Sequence, residues 1–562
     1  MDQATQEPAA VATASVAQTT AAQPEPTRWT VGLLDQPGTL VPFSPDGRAA
    51  APLIEAMFPA PALALNYAYT TTGVLVELPT YENAGLERRA VDGFLDASGH
   101  FTTTVTTQLT TTEQLVVTFQ WHRSLRWADG TALTAHDSVF AYEEARRLPA
   151  TPEMAGMLDL VESYEALDDY TSRAVLKPGQ FDPAYPLAAW TPLPRHVLAD
   201  AAPAVRDRYA YEPLGYGPYT FGETTAGPTI VLRRNPYWPD QTIPDQLRFR
   251  FFRSADTLAD AARRGAVDVA MLERIPTEIY STLEQGGAEG GVKVAWQSSP
   301  VYEQLHFNLA DPLLQDVRVR QAIALATNRQ GIIDTLLGGK AKVLHSWVLP
   351  AQAQYAGDEQ LKRYPYAPDR ARALLDAAGF ADTNGDGLRE APDTTAFTIT
   401  LLTTDTEPRT SIAQRIAEDL RAVGLLVQRQ PMATAQLYAP DGPLYQRTFQ
   451  LAVFGWLHGV DPGGKPLWSC TAIPGPDNAF TGNNFGGWCF GEAEQTLHTA
   501  TSTLEPRVRA AAYLRHQQTW TREVPSIPLF QRPMVTLHSP AITGIVPDAL
   551  APITWNVDAW HR

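Results

Sequence analysis

Cysteine is nearly missing, with two in 562 residues, Cys470 and Cys489. That excludes a disulfide scaffold. No His or further Cys stands near them with ligand spacing, which argues against zinc. They flank a Gly/Pro/Asn-rich loop, "SCTAIPGPDNAFTGNNFGGWC". We expect them bonded, closing a loop of about 20 residues and implying an oxidising compartment; two unrelated buried thiols are the alternative. Long apolar runs are also missing. No stretch of ~18 apolar residues exists to span a bilayer, and the N-terminus lacks the basic and apolar regions of a secretory signal. Basic residues are outnumbered, 44 against 61 acidic, a formal net charge of −17. Nucleic acid and anionic membrane surfaces both need a basic footprint, so neither is an expected partner.

Catalytic motifs are missing too. The chain has no nucleophile elbow, no HExxH, no phosphate-cradling Gly loop and no dinucleotide fingerprint. Its 11 His are scattered without i,i+4 pairs. The adjacent Glu143 and Glu144 point different ways on a helix and cannot converge on one bond. We expect no enzyme and no required cofactor.

What is present is a large globular body. Hydrophobic residues make up 44%, and the length exceeds what one core supports, near ~250–300 residues. Residues 1–27 are Ala, Thr, Gln and Pro with almost no large apolar side chain. They read as a flexible tether, which suits a body hung from a membrane; a frayed terminus is the alternative. Residues 66–125 alternate in places, as in "LVVTFQW", and read as β-hairpins. Strand, helix, strand follows twice with short links. The first unit is "LRFRFF", "SADTLADAARRG" capped by Ser254, and "AVDVAML". The second is "FTITLLTT", "SIAQRIAEDLRAVG" with Ile412, Ile416, Leu420 and Val423 on one face, and "LLVQRQ". Two crossover units predict two α/β lobes. Between them "RVRQAIALATNRQGIIDTLL" reads as one helix capped by Asp316, and "PDRARALLDAAG" as another. The closing "ITWNVDAW" could be a strand returning to the first lobe.

"DTNGDGLREAPD" spaces Asp382, Asn384 and Asp386 at loop positions 1, 3 and 5, with Gly387 at the turn. Leu388 offers a carbonyl at 7, and Glu390 and Asp393 fall at 9 and 12. Hard oxygen donors so spaced can converge on a structural Ca²⁺; an Asx-rich surface turn is the alternative. Several of the 13 Trp lie in loops, among them Trp456, Trp468 and Trp488, with Phe485 nearby. They either line an adaptable ligand cleft or plug the core beneath the loops. "LRWADGTALTAHDSVFAYEEAR" joins an Asp129-Gly130 turn to a helix with a capping box, Thr134 to Asp137. Both devices fix a chain and do no chemistry.

That segment resembles the signature of the extracellular solute-binding proteins of peptide-type ABC importers, family 5. "PLGYGPYTF", "LRRNPYW", "LHFNLADPLLQDVRVRQAIALATNRQGI", "YAPDRARALLDAAGF" and "GWLHGVDP" follow in that family's order, over about residues 28–540. The resemblance implies a periplasmic-binding-protein-like α/β fold, two lobes with a hinge plus a small extra β-rich domain. Lobe I would comprise 28–65, 190–295 and 526–562; the extra domain 66–189; lobe II 296–525. Function would be capture of di- or oligopeptides and delivery to a permease. The same fold binding an oligosaccharide or another solute, a secreted hydrolase, and a sensor of a signal peptide are the alternatives. The resemblance implies an extracytoplasmic monomer, lipid-anchored in its precursor. It carries Trp456 over as a cleft aromatic. Dipeptide-type relatives place an aspartate for the ligand amine shortly after that Trp; here His458 and Gly459 stand there, leaving Asp461 as the substitute. Arg409 is the candidate for a ligand carboxylate. Asn484, Trp488, Tyr302 and Phe43 complete the expected ligand set.

Overall fold

The computed structural model describes residues 26–43, 47–95, 101–148, 152–225, 227–288, 290–391 and 397–562. Residues 1–25 of the expected tether and Asp393 lie outside them. One ten-stranded mixed sheet organises both lobes. Lobe I contributes Tyr219–Thr225, Thr229–Arg234, Gln246–Phe251, Arg28–Leu33 and Val269–Leu272. Lobe II contributes Leu451–Leu457, Thr398–Thr404 and Leu426–Met432. Two long antiparallel strands, Lys293–Phe307 and Ser526–His538, lie between these sets and run through both lobes.

Both expected crossover units form. Thr398–Thr404 and Leu426–Met432 pair in parallel around the helix Arg409–Arg421, which buries Ile412, Ala413, Ile416 and Leu420. In lobe I, Gln246–Phe251 and Val269–Leu272 flank Arg28–Leu33, each parallel to it. The helix Ala255–Arg263 makes the crossover and buries Leu258 and Ala262. Apolar residues on successive turns give each helix one core-facing stripe, and the parallel strands need a helix to return the chain.

Three expectations change. The single helix read over "RVRQAIALATNRQGIIDTLL" is two, Val317–Ala326 and Arg329–Leu336. Asn328 breaks it, since its side chain accepts from Gly331 N at 2.9 Å and starts a new N-terminus. "ITWNVDAW" is turn and 3₁₀ helix, although Ile553, Val557 and Trp560 still fill the lobe I core. The strand Ser526–His538 does not belong to lobe I alone, because residues 526–531 pair with the lobe II half of its partner.

The extra domain carries a five-stranded antiparallel sheet, from Leu86–Leu95 to Thr171–Leu176. The capping-box helix Ala135–Ala145 pins it. Asp137 is buried and accepts from Thr134 N at 2.9 Å, Arg195 N at 3.0 Å and Trp127 Nε1 at 3.4 Å. Trp127 in turn packs on Tyr216 at 5.2 Å and on Phe58, both of lobe I. The motif therefore ties three segments of chain together.

Candidate interlobe binding site

The site is the seam where the two long strands pass from lobe to lobe. Their pairing is regular from Lys293–His538 to Ser298–Pro533 and resumes at Tyr302–Gln531. Between these points the chain bulges, so the sheet has a joint there. Gln531 Nε2 ties the joint by donating to Ser299 O at 2.7 Å and to the Tyr67 hydroxyl at 3.1 Å. Glu303 sits just past it, fully buried at 0% exposure. It accepts from Arg409 Nε at 3.1 Å and from Arg532 Nε at 2.6 Å. Burial opposes ionisation of Glu303, but the two guanidinium charges more than offset it and hold the carboxyl below its ordinary range. Gly455 lies opposite Glu303. A Cβ there would stand 2.9 Å from Tyr302 O and 3.1 Å from Glu303 Oε1, so only glycine leaves room for the ion cluster. The Tyr438 hydroxyl hydrogen-bonds Arg409 from the lobe II side.

Farther out, the extra domain meets lobe II. Asp182 is solvent-exposed, yet desolvation raises its carboxyl and the nearby Asp461 charge adds to the effect. Arg509 and Lys465 of lobe II act in the opposite sense. Tyr69, on the hairpin Ala68–Thr71, feels the same two acids. Apolar contacts close the seam: Tyr67 and Leu550 pack on the lobe II cluster around Trp347, and Leu504 packs against the lobe I cluster. Two hollows lie elsewhere. One is inside lobe II beside Arg329 and Trp520, the other on lobe I beside Arg263 and Gly291; neither touches the joint.

The model of the family described as bacterial extracellular solute-binding proteins, family 5 Middle, matches residues 104–474. The chain belongs to the bacterial extracellular solute-binding proteins of family 5. Oligopeptide-binding protein AppA of Bacillus subtilis (strain 168) is 26% identical to it over 398 residues, 70% of each chain. Di/tripeptide-binding protein 2 of Pseudomonas aeruginosa (strain UCBPP-PA14) is 23% identical over 428 residues, 73% of each. Two solved structures share the family 5 fold. AppA from Bacillus subtilis, in complex with a nonapeptide, has 20% identity, a TM-score of 0.64, and coverage of 95% of this chain and 99% of that one. NikZ from Campylobacter jejuni, in complex with Ni(L-His), has 19% identity, a TM-score of 0.66 and the same coverage. One family 5 architecture thus holds a peptide in one case and a metal complex in another. Among the described residues no helix is long and apolar enough to cross a membrane.

Within this family 5 frame the expected ligand residues separate. Trp456 is half-buried at the lobe II edge of the joint, cross-strand from Tyr302 and stacked on Phe485 at 5.9 Å. Arg409 reaches the joint but is ion-paired to Glu303 and is not a free cation. Asp461 is near the seam but not a free acid. Arg509 Nη2 donates to it, as do the Tyr513 hydroxyl at 3.3 Å and Gly463 N at 2.9 Å. The structure places the other four in packed surroundings. Tyr302 stands at the lobe II edge of the joint, but its side chain is fully buried in the cluster around Trp347. Asn484 is a buried brace, donating to Ser469 O at 2.9 Å and Trp488 O at 2.8 Å. Trp488 is core, packed against Trp468 and His516. Phe43 packs on Trp190 at 5.2 Å in lobe I. Long loops must cover their own undersides, and aromatics do this with the most area per residue. Sequence reading missed Glu303, Arg532, Asp182, Tyr69 and Lys465. None lies in a motif, and only the tertiary fold brings them together.

The structure joins Cys470 to Cys489, with Cα atoms 4.8 Å apart, bracing the same loop. Asp382, Asp386 and Glu390 converge with carboxylate oxygens within 4.8 Å of one another. Loop groups already bond these carboxylates: Asp382 accepts from Gly385 N and Gly387 N, Asp386 from Leu388 N, and Glu390 from Thr383 N and Asn384 Nδ2. Arg389 binds Val423 O at 2.8 Å, so the turn sits at the C-terminal end of the helix that begins at Arg409. Thirteen residues of helix, about 18 Å, separate the turn from the joint.

Proposed function

We propose that this protein captures di- or oligopeptides between its lobes and hands them, chemically unaltered, to the membrane permease of an ABC importer. The observation that carries this reading is the joint: two strands connect the lobes, and their pairing breaks between Ser298 and Tyr302, with a further register shift between Glu303 and Gln304. Such a joint allows rotation of one body against the other. A solute that touches both lobes stabilises the closed arrangement by its differential contacts, and that arrangement is what a permease can distinguish. The names of the relatives support the peptide class. The floor of the seam supports it too. Glu303 carries one negative charge between two arginines, −1 + 2 = +1, a balance that suits a ligand carboxylate. Gly459 leaves no acid at the place of the amine anchor, and Asp461 is taken by Arg509. Recognition of the amine then falls to Asp182, whose Oδ1 accepts from Ala184 N at 2.8 Å.

The chain acts as a monomer outside the cytoplasm, in the periplasm or at the cell surface. It makes and breaks no bond and needs no cofactor. A Ca²⁺ ion at Asp382, Asp386 and Glu390 would brace a turn and not the ligand. Incubation with a defined peptide library tests the reading. The expected outcome is intact recovery of every peptide, with members that raise the melting temperature and appear bound in native mass spectrometry. Turnover of any peptide, or a sugar or metal complex as the sole ligand retained, would overturn it.

A further inference from the structure

A second contact crosses the joint and touches none of the residues assigned to the ligand. In lobe I, Tyr280 opens the helix Tyr280–Ala288 and stacks on Trp296 at 5.4 Å with planes 5° apart. Trp296 lies on the crossing strand itself, five residues before the break at Ser298–Tyr302 ends. Its indole Nε1 donates to Glu284 Oε1 at 2.7 Å, so ring and carboxylate are fixed together. From lobe II comes Lys340, in the loop after the helix Arg329–Leu336. That loop is anchored to lobe II, since Val343 bridges to Phe530 and Leu344 N donates to Leu529 O. Lys340 Nζ pairs with Glu284 at 3.0 Å and lies 5.5 Å from the centre of the Trp296 ring, with its side chain only 27% exposed. A Cβ on Gly338, whose φ is +54°, would stand 3.2 Å from Tyr280 Cβ.

We propose that Lys340, Glu284, Trp296 and Tyr280 form a clasp across the joint that sets how readily the lobes part, whatever solute they hold. The cation is seated at once on the Glu284 carboxylate of lobe I and on the indole face of Trp296, which lies on the crossing strand on the lobe I side of the break. Rotation about residues 299–301 and 531–533 carries Lys340 with lobe II and leaves its seat with lobe I. Parting the lobes therefore costs this contact. A solute's apparent affinity depends on the fraction of protein in the binding-competent arrangement, so the clasp tunes affinity by one common factor for all ligands. The inference stands on the interlobe joint and not on the peptide reading.

Interlobe distance measurement tests it without a ligand. Spin labels on Asp207→Cys in lobe I and Gln430→Cys in lobe II, both exposed positions, report the distribution by pulsed electron resonance after denaturation and refolding have stripped bound solute. Lys340→Met keeps the apolar stem and removes the charge. It should raise the share of separated lobes roughly three- to fivefold, the scale of one partly exposed ion pair with its ring contact. Lys340→Arg, which keeps a cation over the indole, should restore the parent distribution. Glu284→Gln guards against a fold defect specific to position 340 and should shift the distribution the same way as Lys340→Met. Identical distributions for parent, Lys340→Met and Glu284→Gln, at equal melting temperatures, would overturn the proposal.

Discussion

Glu303 shows how one residue can hold a joint. Its carboxylate has no solvent, and among the described residues it is compensated by two guanidinium groups, Arg409 from a lobe II helix and Arg532 from the crossing strand. A buried pair of this kind adds little over apolar packing, but breaking it is costly because the surviving charges stay buried. Glu303→Gln leaves Arg409 and Arg532 side by side with no counter-charge. We expect a loss of about 3–5 kcal/mol in urea unfolding. Arg409→Met should cost less, since Arg532 keeps Glu303 paired. Equal losses for the two variants would show that the charge balance is not what matters. Glu303 could not be singled out in sequence. It lies in "VYEQLHFN", where its neighbours Leu305 and Phe307 read as ordinary strand core, and its partners are more than a hundred residues away.

Among the elements, the helix Ala135–Ala145 is the one whose role could be read most directly. Its Asp129-Gly130 turn and Thr134–Asp137 cap are local signals, within four residues of chain, and they are local in the structure. What the local signal did not contain is the second use of Asp137. Its other oxygen takes Arg195 N, at the return from the extra domain into lobe I. Asp137→Ala orphans three donors at once. A loss of about 2–4 kcal/mol is expected from the capping term and the unsatisfied amides together. Hydrogen exchange should show the extra-domain sheet opening before either lobe. If protection instead falls evenly over the whole chain, Asp137 is not the tie between these two bodies. The loop aromatics show the opposite case. Trp468, Trp488 and Phe485 lie among Gly, Asn and Pro, which marks a loop but not which side of it faces water.

Taken whole, the molecule keeps an acid-sensitive lobe. His306 is sandwiched between Phe454 at 4.4 Å and Trp468 at 6.0 Å, and burial lowers its pKa to about 3. Burial lowers His458 to about 4 and His516 to about 3. All three are neutral when folded and would bind protons near 6.5 when unfolded. Stability rises with pH wherever the unfolded chain holds more protons. Their contribution is therefore complete above about pH 6.5 and is lost as pH falls toward 4 for His458, and toward 3 for the other two. Three such groups give a slope of up to about 4 kcal/mol per pH unit. Melting temperature should drop steeply between pH 6 and 4, and His306→Phe, which keeps the stack, should flatten that slope by about a third. An unchanged slope would mean that His306 gains no proton when lobe II unfolds.

The sequence by itself determined the two crossover units, the caps at Thr134 and Asp316, the cysteine pair flanking one loop and the family. Those features depend on residues a few positions apart, or on motifs carried whole along the chain. Only the tertiary structure decided the site. Glu303, Arg409 and Arg532 meet because two strands cross from lobe to lobe and a helix points its first residue at their joint. Asp461 is spent on Arg509, 48 residues on, and no spacing rule shows an acid already taken. Periodicity fixes which face of an element is buried, but which charges share one pocket follows from how distant elements pack.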